Sequence, residues 1–189
     1  MPETLTPLIP ELEIRWRTSQ MTHRIVRDYK DQAVIVVIVL KGAFIFAADL
    51  TRRLAEQGLR LRLDFLRAAS YGDSDLSSGK VSLQLDVSLP LVNQKVLLID
   101  DIIDTGLTLS FLAQHLKRKG ATEVKTCVLL DKPARRLIDF KPDYIGFSIP
   151  DVFVVGYGLD FAEEHRCLSG LAILHKEQNP CHQSQSMSK

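Results

Sequence analysis

The chain is poor in cysteine, and the three it has, Cys127, Cys167 and Cys181, lie far apart. Without a C-x-x-C pair they speak against a disulfide framework or a thiolate zinc site. Free thiols in a reducing cytoplasm are the expectation. A charge imbalance is missing too. With a formal net charge of +1, nothing in the electrostatics draws the protein to nucleic acid or to an acidic membrane. No apolar run reaches transmembrane length; the longest, around Val34 to Leu40, suits a buried strand. The N-terminus carries Pro2 and Glu3 and lacks a basic-then-apolar leader pattern. Neither G-x-x-x-x-G-K-S/T nor G-x-G-x-x-G occurs, so neither a nucleoside triphosphatase nor a dinucleotide enzyme is indicated. His23, His115, His165, His175 and His182 show no metal-ligand spacing, and there is no internal repeat.

What is present fits one compact domain. The 189 residues are 46% hydrophobic, enough for a sizeable core. Residues 1–10 hold three prolines and read as an extended arm. Residues 11–30 read as an amphipathic helix whose apolar contacts are Ile14, Met21, Ile25 and Val26. Val34 to Leu40 is a continuous β-branched run, the pattern of a central parallel strand. Ala43, Phe46, Ala47, Leu50 and Leu54 follow at helical spacing, and Gly58 closes that helix. Leu59 to Leu66 alternates as a half-buried strand, and Val81 to Val87 alternates again and is expected to pair with it. Between them, residues 69–80 break all periodicity, as functional loops do. Val96 to Asp101, Val124 to Leu130 and Tyr144 to Phe147 are further buried strands, with a helix over Leu109 to Leu116. Strand and helix alternating in this way imply right-handed crossovers and a mainly parallel sheet flanked by helices, an α/β fold.

The most informative stretch runs from Val96 to Thr108. A buried strand ends in Asp100, Asp101 and Asp104, then Thr105-Gly106-Leu107-Thr108 opens a helix. Open α/β sheets bind phosphorylated ligands at this kind of position. Gly106 permits a tight turn, and successive N–H groups can converge on a phosphate. Carboxylates at the strand end can accept hydrogen bonds from a sugar diol or bind Mg²⁺ through water. In a regular strand Asp100 and Asp101 point to opposite faces, so both serve one ligand only if the turn begins there. Helix capping by Asp104 or Thr105 is the bland alternative.

Two acids, two aliphatics and Asp-Thr-Gly-x-Thr resemble the phosphoribosyl-pyrophosphate signature of type I phosphoribosyltransferases. Leu40-Lys41-Gly42, Ser70-Tyr71-Gly72, Lys132, Ile149-Pro150-Asp151, Phe153 to Tyr157, Leu159-Asp160 and Arg166 follow the order of the hypoxanthine-guanine branch of that family. The resemblance covers about residues 35 to 174. It implies the type I phosphoribosyltransferase fold, with a core at about 30–150, a small hood subdomain from the N-terminal arm and about 150–175, and a disordered tail at 176–189. It implies phosphoribosyl transfer from phosphoribosyl pyrophosphate to a 6-oxopurine base, with Mg²⁺ as cofactor and a homodimer or homotetramer as the assembly. Asp104 would be the catalytic acid/base. Asp100 and Asp101 would hold the ribose. Asp104, Thr105, Gly106, Leu107 and Thr108 would take the 5′-phosphate, and Lys41, Gly42, Ser70, Tyr71 and Arg166 the pyrophosphate. Lys132, Phe153, Val154 and Asp160 would read the purine, and Asp160, Asp100 and Asp101 would serve the metal. Residues 70–80 would close as a lid, and the peptide before Lys41 can be cis in the family. Two readings stay open beside this one: a non-catalytic sensor of phosphoribosyl pyrophosphate on the same fold, and a transferase for another base such as xanthine.

Overall fold

A computed structural model describes residues 3–70 and 81–176 of the chain. Of the expected lid at residues 70–80 only Ser70, which ends β3, and of the expected tail at 176–189 only Lys176, which ends β9, are among these residues; the rest lie outside them. In chain order the elements are β1 (Glu3–Ile9), α1 (Glu11–Tyr29), β2 (Ala33–Leu40), α2 (Phe44–Glu56), β3 (Arg60–Ser70) and β4 (Val81–Leu85). They continue with β5 (Lys95–Ile103), α3 (Leu107–Arg118), β6 (Glu123–Asp131), a 3₁₀ turn (Pro133–Arg135), β7 (Tyr144–Ser148), β8 (Val154–Val155) and β9 (Leu171–Lys176). No helix among the described residues is long and apolar enough to cross a membrane.

The main sheet has six strands in the order β4-β3-β2-β5-β6-β7. All its pairs are parallel except β3 with β4. The runs of β2 and β5 lack apolar/polar alternation because helices cover both faces of the sheet. Val34, Val36, Ile38, Leu97 and Ile99 pack with Ile14, Ile25, Phe46, Leu50 and Leu54 of α1 and α2. Ile35, Val37, Val39, Val96 and Leu98 point the other way, onto Leu109, Leu112 and Leu116 of α3. Each fully buried Leu, Ile or Phe stabilises by about 1.5–3 kcal/mol, so the two layers hold the strand ends in a fixed frame.

Three expectations change. The N-terminal arm is a strand: β1 pairs antiparallel with β9 in a three-stranded sheet ordered β1-β9-β8. Its prolines fit because β1 is an edge strand, where a missing N–H costs no ladder bond, and the register slips between Pro7 and Ile9. β4 does not pair with Leu59 to Leu66. β3 continues to Ser70, and β4 returns along that extension, Ser70 opposite Val81 and Arg67 opposite Leu85. Finally, β5 does not give way to a turn at its acids; it stays paired with β6 as far as Ile103.

Candidate active site

The strand ends of β2, β5 and β6 and the segment between β8 and β9 bring most of the predicted residues to one side of the sheet. Asp100 and Asp101 sit near the end of β5. Asp100 Oδ1 accepts the Asp101 N–H at 3.0 Å, and Asp101 Oδ1 accepts the Ile102 N–H at 2.9 Å. Each carboxyl thus folds back onto the following N–H while the strand stays paired. Burial pushes the Asp100 carboxyl well above its ordinary range, and the charge of Asp101 adds to the effect. Burial raises Asp101 too, against the lowering pull of the Asp100 hydrogen bond, the Ile102 N–H and Arg166. Burial thus makes negative charge on this pair costly. A cation or a set of hydroxyl donors would relieve it.

Gly42 explains how the loop after β2 reaches this pair. A Cβ there would lie 1.7 Å from Asp101 Oδ2, so only glycine lets the backbone pass beside the carboxylate. From the other side Gly158 rests on the Gly42 carbonyl, where a Cβ would come within 2.1 Å. The Leu40–Lys41 peptide is cis. The segment from Gly158 to Arg166 folds back on itself: Arg166 Nη1 donates to the Gly158 carbonyl at 2.8 Å, and Arg166 Nη2 meets Asp160 Oδ1 at 2.7 Å. Asp160 Oδ2 accepts the Glu163 N–H at 2.9 Å.

On the far side of β5, Gly106 caps α3 in the left-handed region at φ 85°. The first α3 hydrogen bond runs from Ser110 N to the Gly106 carbonyl. The N–H groups of Leu107, Thr108 and Leu109 therefore have no partner within the helix, the arrangement that cradles a phosphate. Thr105 Oγ1 accepts the Leu107 N–H at 3.4 Å. Asp104 precedes this turn. Its Oδ1 is buried without a hydrogen bond, 3.8 Å from Lys132 Nζ, while Oδ2 lies 3.9 Å from Arg135 Nε. Neither cation is within hydrogen-bonding distance of this carboxylate. Lys132 follows β6 and is 6% exposed. A buried ammonium needs acceptors, and at 3.8 Å Asp104 is not a hydrogen-bond partner.

The loop that carries Phe153 starts from the same place, because Ile149 N donates to the Asp131 carbonyl at 2.9 Å. Phe153 is 47% exposed and meets Phe161 edge-on, with ring centroids 5.7 Å apart. Val154 is buried beside it in β8. Ser70 ends β3, away from these contacts in sequence, and Tyr71 lies outside the described residues.

Three residues were not anticipated. Arg136 donates to the Asp104 carbonyl at 2.7 Å and pairs with the Asp131 carboxylate. Its stem fills the space a Gly106 side chain would need. Arg135 reaches both Asp104 and Asp151. Glu163 contacts Lys41 and Arg166. Pro133, which starts the 3₁₀ turn after Lys132, was the one sequence signal that folds the arginines back toward Asp104.

The phosphoribosyl transferase domain pattern matches residues 17–162. The chain belongs to that family. This phosphoribosyl transferase is 41% identical over 167 residues to the hypoxanthine-guanine phosphoribosyltransferase of Bacillus subtilis, covering 88% of this chain and 91% of that one. It is 39% identical to the Crithidia fasciculata protein of the same name, over 93% of this chain and 88% of the relative. Among solved structures, a Bacillus anthracis hypoxanthine-guanine phosphoribosyltransferase with HEPES in its active site superposes with a TM-score of 0.84 at 40% identity, covering 89% and 97% of the two chains. A Trypanosoma cruzi hypoxanthine phosphoribosyl transferase, solved to examine its C-terminal region in oligomeric state and activity, superposes with a TM-score of 0.85 at 37% identity, covering 90% and 91%.

Proposed function

We propose that the protein transfers a 5-phosphoribosyl group from phosphoribosyl pyrophosphate to hypoxanthine or guanine, releasing inosine or guanosine monophosphate and pyrophosphate in the cytoplasm. The observation that carries the reading is the shared frame of Asp104 and Lys132. A carboxylate in the turn before α3 and a buried cation after β6 lie 3.8 Å apart. In this reading the Phe153 ring stacks the purine and the Val154 backbone reads its edge. Lys132 donates to the 6-oxo group, whereas an adenine amino group would leave that cation unpaired. The C1′–oxygen bond to pyrophosphate breaks, a purine nitrogen takes its place at C1′, and Asp104 takes the proton the purine gives up.

Asp100 and Asp101 hold the ribose hydroxyls. The N–H groups from Gly106 to Thr108, with the Thr105 and Thr108 hydroxyls, hold the 5′-phosphate. Lys41, Gly42 and Arg166 hold the pyrophosphate, with Ser70 and Tyr71 contributing from the lid. The three-stranded sheet with residues 150–175 forms the hood above the core. Among the described residues no group of three or more His, Cys, Asp or Glu forms a metal cage. That suits Mg²⁺, which keeps waters and substrate oxygens as ligands, and the charge-laden Asp100–Asp101 pair and Asp160 are the acids to support it. Bound there, Mg²⁺ would offset the charge of the leaving pyrophosphate. A homodimer or homotetramer belongs to the same reading, supported by the exposed Leu63 and Phe65 on one face of β3. Free Cys127 and Cys167 support a reducing compartment.

The test is pyrophosphate release with hypoxanthine, guanine, xanthine, adenine and uracil, with and without Mg²⁺. Turnover on the first two, lost on chelation, is expected. Turnover confined to xanthine would reassign the base, and no turnover on any base would favour a sensor of phosphoribosyl pyrophosphate.

A further inference from the structure

Lys41 and Glu163 are 122 positions apart in sequence, yet Lys41 Nζ lies 2.8 Å from Glu163 Oε1. The second oxygen of the same carboxylate, Oε2, lies 3.0 Å from Arg166 Nη2. One acid thus bridges two cations that come from different loops, one after β2 and one between β8 and β9. An oxyanion of a diphosphate would bridge a lysine and an arginine in the same way, one oxygen to each.

The remaining partners of Arg166 are fixed. Its Nη1 is held by the Gly158 carbonyl and its Nη2 is shared with Asp160, while its Nε is buried without a hydrogen bond. Glu163 differs from Asp160 in being exposed, with 63% of its side-chain surface in solvent. It also sits in a run of unusual backbone, with positive φ at Ala162, Glu163 and His165. Ion pairs this exposed are weak individually, so a ligand can replace them at small cost.

We propose that Glu163 is a built-in counter-anion of the pyrophosphate subsite. It keeps Lys41 and Arg166 apart from solvent anions and in register while the subsite is empty. It swings aside when a diphosphate group arrives and returns when that group leaves. It therefore weakens the grip on pyrophosphate and speeds release. This rests on the reading above that Lys41 and Arg166 serve the pyrophosphate.

The test is calorimetric titration of the full chain with inorganic pyrophosphate in Mg²⁺, using the natural protein, Glu163→Gln and Glu164→Gln. The second variant makes the same charge change at an adjacent exposed acid. Loss of two exposed ion pairs should tighten pyrophosphate binding by about three- to tenfold in Glu163→Gln, with KM for phosphoribosyl pyrophosphate falling by a similar factor. Glu164→Gln should stay within about twofold. Circular dichroism checks that each variant is folded, and Glu163→Ala should move in the same direction as Glu163→Gln. Weaker binding in Glu163→Gln would make Glu163 a structural brace and overturn the proposal. Equal tightening in Glu163→Gln and Glu164→Gln would reduce it to general charge and overturn it as well. If the natural protein binds pyrophosphate and turns over but Glu163→Gln gains nothing, only this proposal falls. If the natural protein neither binds pyrophosphate nor turns over, the functional reading falls with it.

Discussion

Replacing Gly42 by alanine tests the contact on which the site frame depends. The added Cβ would lie 1.7 Å from Asp101 Oδ2 and 2.6 Å from its Cγ, far inside van der Waals contact. The Gly42 loop cannot simply back away, since Gly158 rests on its carbonyl from the other side. The carboxylate must therefore rotate. Doing so breaks its 2.9 Å hydrogen bond with the Ile102 N–H and separates it from Asp100. A displaced charged hydrogen bond is worth about 1.5–3 kcal/mol. If Asp101 holds the ribose in the transition state, turnover should fall about 10- to 100-fold. Global stability should change by only about 1–3 kcal/mol, the usual cost of overpacking. The assay is steady-state turnover of Gly42→Ala, Asp101→Ala and the double variant, each checked by thermal melting. Because both changes act through one carboxylate, the double variant should be little worse than Asp101→Ala alone. Additive losses, or Gly42→Ala within twofold of the natural enzyme, would show that the Gly42–Asp101 contact does not set the site.

Asp104→Asn keeps the shape and removes the proton acceptor. It should lower turnover by about 10²- to 10⁴-fold while calorimetry finds phosphoribosyl pyrophosphate binding nearly unchanged. Lys132→Ala should raise KM for hypoxanthine and guanine about 10- to 100-fold through loss of one charged hydrogen bond, read from initial rates. Asp64 supplies a pH prediction. Burial opposes its ionisation, but the N–H groups of Leu89, Phe65 and Ser88 outweigh it and hold the carboxyl below the ordinary range. A lowered folded pKa means stability that is present above the unfolded pKa of about 3.9 and is lost as pH falls through the folded value. Asp64→Asn should flatten the acid side of a plot of denaturant-derived stability against pH; an unchanged acid limb would count against it.

The parts of the molecule that were readable from sequence are those where local pattern and tertiary role agree. β2 and β5 read as strands because both faces of their apolar runs are buried, and the Asp-Thr-Gly-Leu-Thr run shows where α3 begins, with Gly106 taking the left-handed turn at its N-terminus. β1 was hidden because prolines argue against a strand, and only the edge position opposite β9 makes them tolerable. The partner of β4 was misjudged because β3 runs on past Leu66, and alternation does not reveal where a strand stops. Asp100 and Asp101 were expected on opposite faces of a regular strand. Each carboxyl instead bends back onto the following N–H, a detail of rotamers rather than of pattern. Arg136 and Glu163 matter through contacts with chain segments 32 and 122 residues away, and nothing local marks either.

The product formed from hypoxanthine tests the pairing of Asp104 with Lys132 most directly. Incubated with phosphoribosyl pyrophosphate and Mg²⁺, the protein should yield inosine monophosphate and pyrophosphate in equal amounts, measured by chromatography of the nucleotide and a coupled pyrophosphate assay. Adenine in the same mixture should give no nucleotide. Pyrophosphate without inosine monophosphate, or equal use of adenine, would contradict the pairing of Asp104 with Lys132 as the base-handling centre.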